Sequence, residues 1–159
     1  MNFDVTTLVG FHTVISLVAL ATGLVAVLGM AGGRLLRGWT ATFLATAFLT
    51  SATGFLFPFG GILPSHVFGV VSLAAIALAV MAQYGRGFAG RWRATFVVGV
   101  VLATYLDAFV AIVQVFQKVP AAHALAPTQA EPPFAIAQGL LLAAFLLLGT
   151  LAMRRFRPG

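Results

Sequence analysis

Only six side chains in this 159-residue sequence are imidazoles or carboxyls: His12, His66, His123, Asp4, Asp107 and Glu131. Neutral imidazole nitrogens ligate haem iron and transition metals, and carboxylates complete mixed metal sites. His12 and His66 can therefore serve as the two axial ligands of one haem b. With Asp107 or Glu131 they can instead hold zinc, iron or copper, and a quinone can use a histidine and an acid as hydrogen-bond partners. The bland alternative for each histidine is an interhelical hydrogen bond. There is no cysteine, which removes thiolate sites, Fe–S clusters and disulfides. No nucleophile–base pair, phosphate-binding loop or dinucleotide fingerprint is present, so no residue is assigned a catalytic role.

The elements that must position these groups follow from composition. Hydrophobic residues make up 61% of the chain and charged residues 8%, against roughly a quarter charged in a soluble domain. A lipid bilayer is the solvent such a chain fits, and long apolar runs without period-2 alternation favour helices over a barrel. Five runs have that character, at about 6–31, 39–57, 65–84, 94–117 and 134–153; about 20 residues cross about 30 Å of hydrocarbon. Gly or Pro interrupts each intervening link. The expected fold is all-α, a single five-helix transmembrane domain spanning 1–159.

Orientation comes from the basic residues. Arg34 and Arg37 lie in the first link, Arg86, Arg91 and Arg93 in the third, and Arg154, Arg155 and Arg157 in the tail, while only Lys118 lies on the opposite side. The positive-inside rule then puts the N-terminus outside and the C-terminus in the cytoplasm. The net charge of +6 is spread in these short clusters and builds no basic face for nucleic acid. Met1-Asn2-Phe3-Asp4 lacks the basic region of a cleaved signal peptide.

With this topology every acid and histidine falls in the outer half. His12 lies about 10 Å and Asp107 about 15 Å below the outer ends of their helices. An ionised carboxylate near the bilayer centre is costly, so Asp107 should face the interior, protonated or paired. Its candidate partners are His12, Thr104, Tyr105 and the hydroxyls Thr50, Ser51 and Thr53; His12 is favoured as nearest in depth. Thr104, Asp107, Ala111, Gln114 and Lys118 form one helical stripe, and His12, Ser16, Ala19, Gly23 and Ala26 form another. Ser72 and Gly69 follow His66 on the third helix, Gly69 leaving room for a macrocycle, and Gln138 adds an amide on the fifth. Asp107, Gln114, Gln138 and Ser16 are thus expected to be proton-linked or to support the ligands.

Four prolines between Lys118 and Pro133 restrict the outer link, which is expected to form an ordered cap carrying His123, Gln129 and Glu131. Gly29 and Gly33, with Ala41, Ala45, Ala75 and Ala79, give small-xxx-small spacings suited to close packing inside the chain, in a homo-oligomer or with other membrane subunits.

The segment Val110-Ala111-Ile112-Val113-Gln114, the motif QKVP and the run LAPTQAEPPF resemble a family of small, functionally uncharacterised bacterial polytopic inner-membrane proteins. The resemblance extends over most of the chain and implies a bacterial cytoplasmic membrane. It also implies a hydrogen-bonding role at Asp107, where relatives often carry Asn. It brings no established activity. The leading expectation is a redox-related membrane protein binding a haem, metal or quinone through His12 and His66. The alternatives are an accessory subunit of a larger membrane complex, or a small proton or cation transporter using Asp107.

Overall fold

The computed structural model describes residues 6–57 and 64–158, the side chains of Pro64 and Ser65 excepted. Asp4 and most of the second link, 58–63, lie outside the described residues. Among them the chain is all-helical, with no strand. Helix α1 is Leu8–Ala31, α2 Arg37–Gly54, α3 Pro64–Val80, α4 Trp92–Lys118, α5 Pro120–Leu125 and α6 Pro132–Arg155; α3 runs on into a wider π-helical turn, Met81–Gly85.

Local chemistry sets most of these limits. The Thr7 hydroxyl accepts the Gly10 N–H at 3.1 Å and caps α1. Gly33, at φ +83°, ends that helix in a conformation other residues avoid. Prolines occupy the first turns of α5 and α6, where a missing N–H costs nothing.

Among the described residues four stretches are long and apolar enough to cross a membrane: Leu8–Ala31, His66–Gly85, Trp92–Lys118 and Pro132–Arg155. Helix α2 forms close to the place expected from its apolar run but falls short of that measure. It contains Arg37 and six hydroxyl residues, Thr40, Thr42, Thr46, Thr50, Ser51 and Thr53, which dilute its apolar content. Large apolar side chains, Leu17, Phe48, Val70 and Leu146 among them, cover the outside of the bundle. Such a surface suits lipid and not water. It marks a membrane protein.

The long helices pack in a ring, α1–α2–α3–α4–α6 and back to α1, with α1 also against α4 across the centre; α2 and α4 barely touch. Close approach depends on missing side chains. A Cβ on Gly23 would sit 2.8 Å from the Phe43 ring and from Thr104 Oγ1, and one on Gly99 would sit 2.7 Å from the Ala75 carbonyl oxygen. The small-residue pattern is therefore spent mainly within the chain. Ala75 and Ala79 pack at Gly99, Leu36 fills the space over Gly29, and Gly33 lies by the Arg155 carbonyl, whereas Ala41 and Ala45 are exposed.

At one end Arg93 donates to the carbonyls of Met153 and Phe156, both at 3.0 Å, and so ties the start of α4 to the end of α6. Phe156 stacks on Phe96 at 5.6 Å, and Phe88 meets both rings edge-on. With Met30, Val27, Phe43 and Val97, Phe96 and Phe156 make the fully buried apolar core, against which Phe88 packs, and which therefore lies toward the arginine end. Toward the opposite end the buried polar residues Ser51, Ser72 and Gln138 lie among buried Ile15, Leu106 and Phe116.

Candidate functional site

At the end of the bundle away from the arginines, α1 carries His12 and α2 carries Thr53. Their side chains meet, with His12 Nδ1 2.9 Å from Thr53 Oγ1. The Thr53 hydroxyl also lies 2.7 Å from the Leu49 carbonyl, to which it can donate. With the hydroxyl so engaged, Thr53 accepts from the ring when His12 carries its proton on Nδ1, the tautomer that leaves a lone pair on Nε2. The Phe57 ring packs edge-on against the imidazole at 5.1 Å, and Ser16 donates to the His12 carbonyl at 2.6 Å. Nothing among the described residues hydrogen-bonds to Nε2. The imidazole is held in place, half-buried, with its ligating nitrogen available.

His66 opens α3 and packs against Phe55 at 5.9 Å, the rings tilted by 30°. Phe55 also lies over Gly69, where a Cβ would come within 3.1 Å of its ring. The room expected over Gly69 for a macrocycle is filled by that side chain. Each histidine thus meets a different aromatic ring from the end of α2, and no group of three or more potential ligands forms among the described residues.

The expected hydrogen bond between His12 and Asp107 is not formed. Gly23 and Thr104 sit side by side in antiparallel helices. From that level His12 is eleven residues toward the end away from the arginines and Asp107 three, so they are about 12 Å apart along the axis at 1.5 Å per residue. Depths counted from the ends of apolar runs had placed them too nearly level. Asp107 Oδ2 is enclosed and has no hydrogen-bond partner, and the same holds for Thr50 Oγ1, Ser72 Oγ and Gln138 Oε1. Gln138 does use its amide nitrogen, donating to the Phe109 carbonyl at 3.2 Å. Gln114 is half-buried on α4.

The link between α4 and α6 is ordered and contains helix α5, which packs on α4. His123 donates from Nδ1 to the Phe116 carbonyl at 3.1 Å, and Gln129 donates to the Val113 carbonyl at 3.2 Å. Glu131 accepts from the Thr128 hydroxyl at 2.8 Å and from its backbone N–H at 3.3 Å. Desolvation raises the Glu131 carboxyl, but the Thr128 hydroxyl and nearby N–H groups together outweigh it and hold the group below the usual glutamate range. These bonds fasten the link to the last turns of α4. His123 itself is exposed.

Sequence reasoning missed two arrangements. Thr53 stood among the partners for Asp107, and its place beside His12 depends on the register of α1 against α2, which no single run of residues encodes. Arg93 counted only as a topology signal, although it closes the carbonyl end of α6. No known protein family, curated protein or solved structure matches this chain.

Proposed function

We propose that this chain is a bacterial inner-membrane protein of five crossings, N-terminus outside and C-terminus inside, whose outer half binds one redox-active transition metal or haem b. His12 is the primary ligand and His66 the second. The observation that carries this reading is the His12–Thr53 hydrogen bond. Ligating histidines commonly have their other ring nitrogen held by a fixed acceptor, which sets the tautomer and points the lone pair at the metal. A haem requires Phe55 to swing off Gly69, and a quinol would use the same Nε2 lone pair as a hydrogen-bond acceptor.

The closed interior at the arginine end counts against a transport path through the bundle. Phe96, Phe156 and Met30 are fully buried there.

The test is an absorption spectrum and elemental analysis of protein purified after expression with added haem precursor and metals. A bound group near one per chain is expected. His12→Ala should abolish it, and Thr53→Val should weaken retention by about 10–100-fold. A colourless, metal-free protein would refute the proposal.

A further inference from the structure

The outer surface of the bundle is not smooth where α2 meets α3. An open groove of about 550 Å³, lined only by apolar residues, runs between the two helices. Small-molecule sites occupy about 300–1,000 Å³. Its floor is Leu44 and Ile76, both buried. It exists because Ala45 and Ala77 beside the floor are short, while Phe48 and Val80 are long and stand exposed at its edges.

The groove leads to an arginine. Arg37, Ala41, Leu44 and Phe48 follow steps of four and three along α2 and so share one face. Arg37 and Ala41 are both exposed, and on this face only Ala41 stands between the guanidinium and Leu44. Phe43 lies against Gly23, Gly23 against Thr104, and Gly99 against the Ala75 carbonyl and Ala79. Counting along these contacts sets Arg37 level with Ala79 to within about one turn, beside Val80 at the groove's end. From Arg37 to Phe48 is about 16 Å at 1.5 Å per residue. One leaflet of a bilayer has about 15 Å of hydrocarbon, half of its core.

Charge selects the occupant. Among the described residues no Asp or Glu side chain lies at the arginine end, since Asp107 is beyond Thr104 on α4 and Glu131 follows that helix's far end. Arg93 is taken up by the carbonyls of α6, and Arg86 lies over the Trp92 ring at 5.4 Å. Arg37 has no such partner among the described residues. The first turn of α2 has no side-chain cap, and nothing stands within 4 Å of a Cβ added at Gly38. An anion can therefore also approach the positive end of that helix. Trp39 and Tyr84, exposed near the ends of the same two helices, are of the residue types that sit at headgroup level. An apolar channel one leaflet deep that ends at a free guanidinium matches an amphiphile with an apolar tail and an anionic head. A second copy of the chain in the same orientation would bring more arginines to that mouth and no acid.

We propose that the α2–α3 groove holds one anionic phospholipid from the leaflet at the arginine end, with an acyl chain over Leu44 and Ile76 and its phosphate at Arg37. This rests on the reading of the bundle as membrane-spanning and not on the ligand at His12.

Native mass spectrometry of the full-length protein, released from non-ionic detergent micelles with equal phosphatidylglycerol and phosphatidylcholine, tests it. One phosphatidylglycerol per chain should be retained in preference to phosphatidylcholine. Arg37→Gln should lower that affinity about fivefold, the effect of one basic residue at a membrane surface, and Arg154→Gln should leave it unchanged. Ala45→Phe fills the groove from its exposed side; it should melt like the unaltered protein and retain less of both lipids. Equal retention of the two lipids would overturn the proposal, as would equal losses in the two arginine variants or undiminished retention in Ala45→Phe. A lipid-free dimer would overturn it too, by giving the groove to a second copy. His12→Ala should keep the lipid whatever becomes of the outer ligand. A chain released from membranes by alkaline carbonate would remove the spanning bundle and this site together, whereas an embedded chain without the preference removes the site alone.

Discussion

Glycines divide this sequence into positions where a side chain is forbidden and positions where it is merely missing. At Gly99 an added methyl would lie 2.7 Å from the Ala75 carbonyl oxygen and 3.1 Å from Ala79 Cβ. Backbone cannot swing aside as a side chain can, so α3 and α4 would have to separate. At Gly139 in α6 nothing lies within 4 Å of the added atom. We expect Gly99→Ala to destabilise by about 1–3 kcal/mol, the usual cost of overpacking. Gly139→Ala should stabilise by up to about 1 kcal/mol, through helix propensity alone. Equilibrium unfolding of both variants in the same detergent checks the pair, and equal effects would mean that the α3–α4 approach is wrong. Much at this scale was hidden from the sequence. That His12 and Asp107 lie on the side of the bundle away from the arginines could be read from the apolar runs and the basic residues. Their separation could not, because an uncertainty of a few residues at each run end is as large as the offset between them. The Thr53 contact needed the register of two helices, which only the Gly23–Phe43 approach reveals.

Among the elements, α6 shows how its two ends are anchored by different means. Its carbonyl end receives Arg93, a cation placed where the helix dipole is negative. Its amino end follows Glu131, whose carboxylate gathers the Thr128 hydroxyl and N–H and so shapes the turn before Pro132. The folded turn favours the ionised form of Glu131, so its pKa is lower folded than unfolded. The sign follows by linkage. The stabilisation is complete above the ordinary glutamate range and is lost as pH falls through and below it. Hydrogen exchange at the amide of Thr128 should therefore speed up on acidification relative to the intrinsic rate. Glu131→Gln should exchange faster at neutral pH and show little further change with acid. Protection that is the same in both proteins across that range would rule out the carboxylate as the fastening. The prolines of this link were readable as order, since they restrict the backbone. Helix α5 was not, because a six-residue helix opening on Pro120 has no periodic pattern long enough to announce itself.

For the whole molecule the open question is which way each helix crosses, and α2 decides it. Among the described residues four helices meet the length and apolarity needed to span, and α2, with its hydroxyls, does not. An amphipathic helix lying on the membrane surface would show a wet face, but α2 is packed on both α1 and α3 and buries Phe43, Leu44 and Ala47 in the common core. Most of its threonines also return their hydroxyl protons to their own helix, which lowers the cost of placing them in lipid. Both facts favour a crossing. If α2 crosses, the chain traverses the membrane five times, and the arginines of the α1–α2 link, the α3–α4 link and the tail all face the cytoplasm. If it does not, the tail and the first link fall on opposite sides. Yet Gly33, just past the end of α1, lies against the Arg155 carbonyl at the end of α6, so those two ends must share a side. A reporter active only in the cytoplasm, fused after residue 158, should therefore be active, and the same reporter placed at Lys118 should be silent. Activity at Lys118 would invert the bundle, moving His12 and Asp107 to the cytoplasmic half, and the proposed outer site would fall with it.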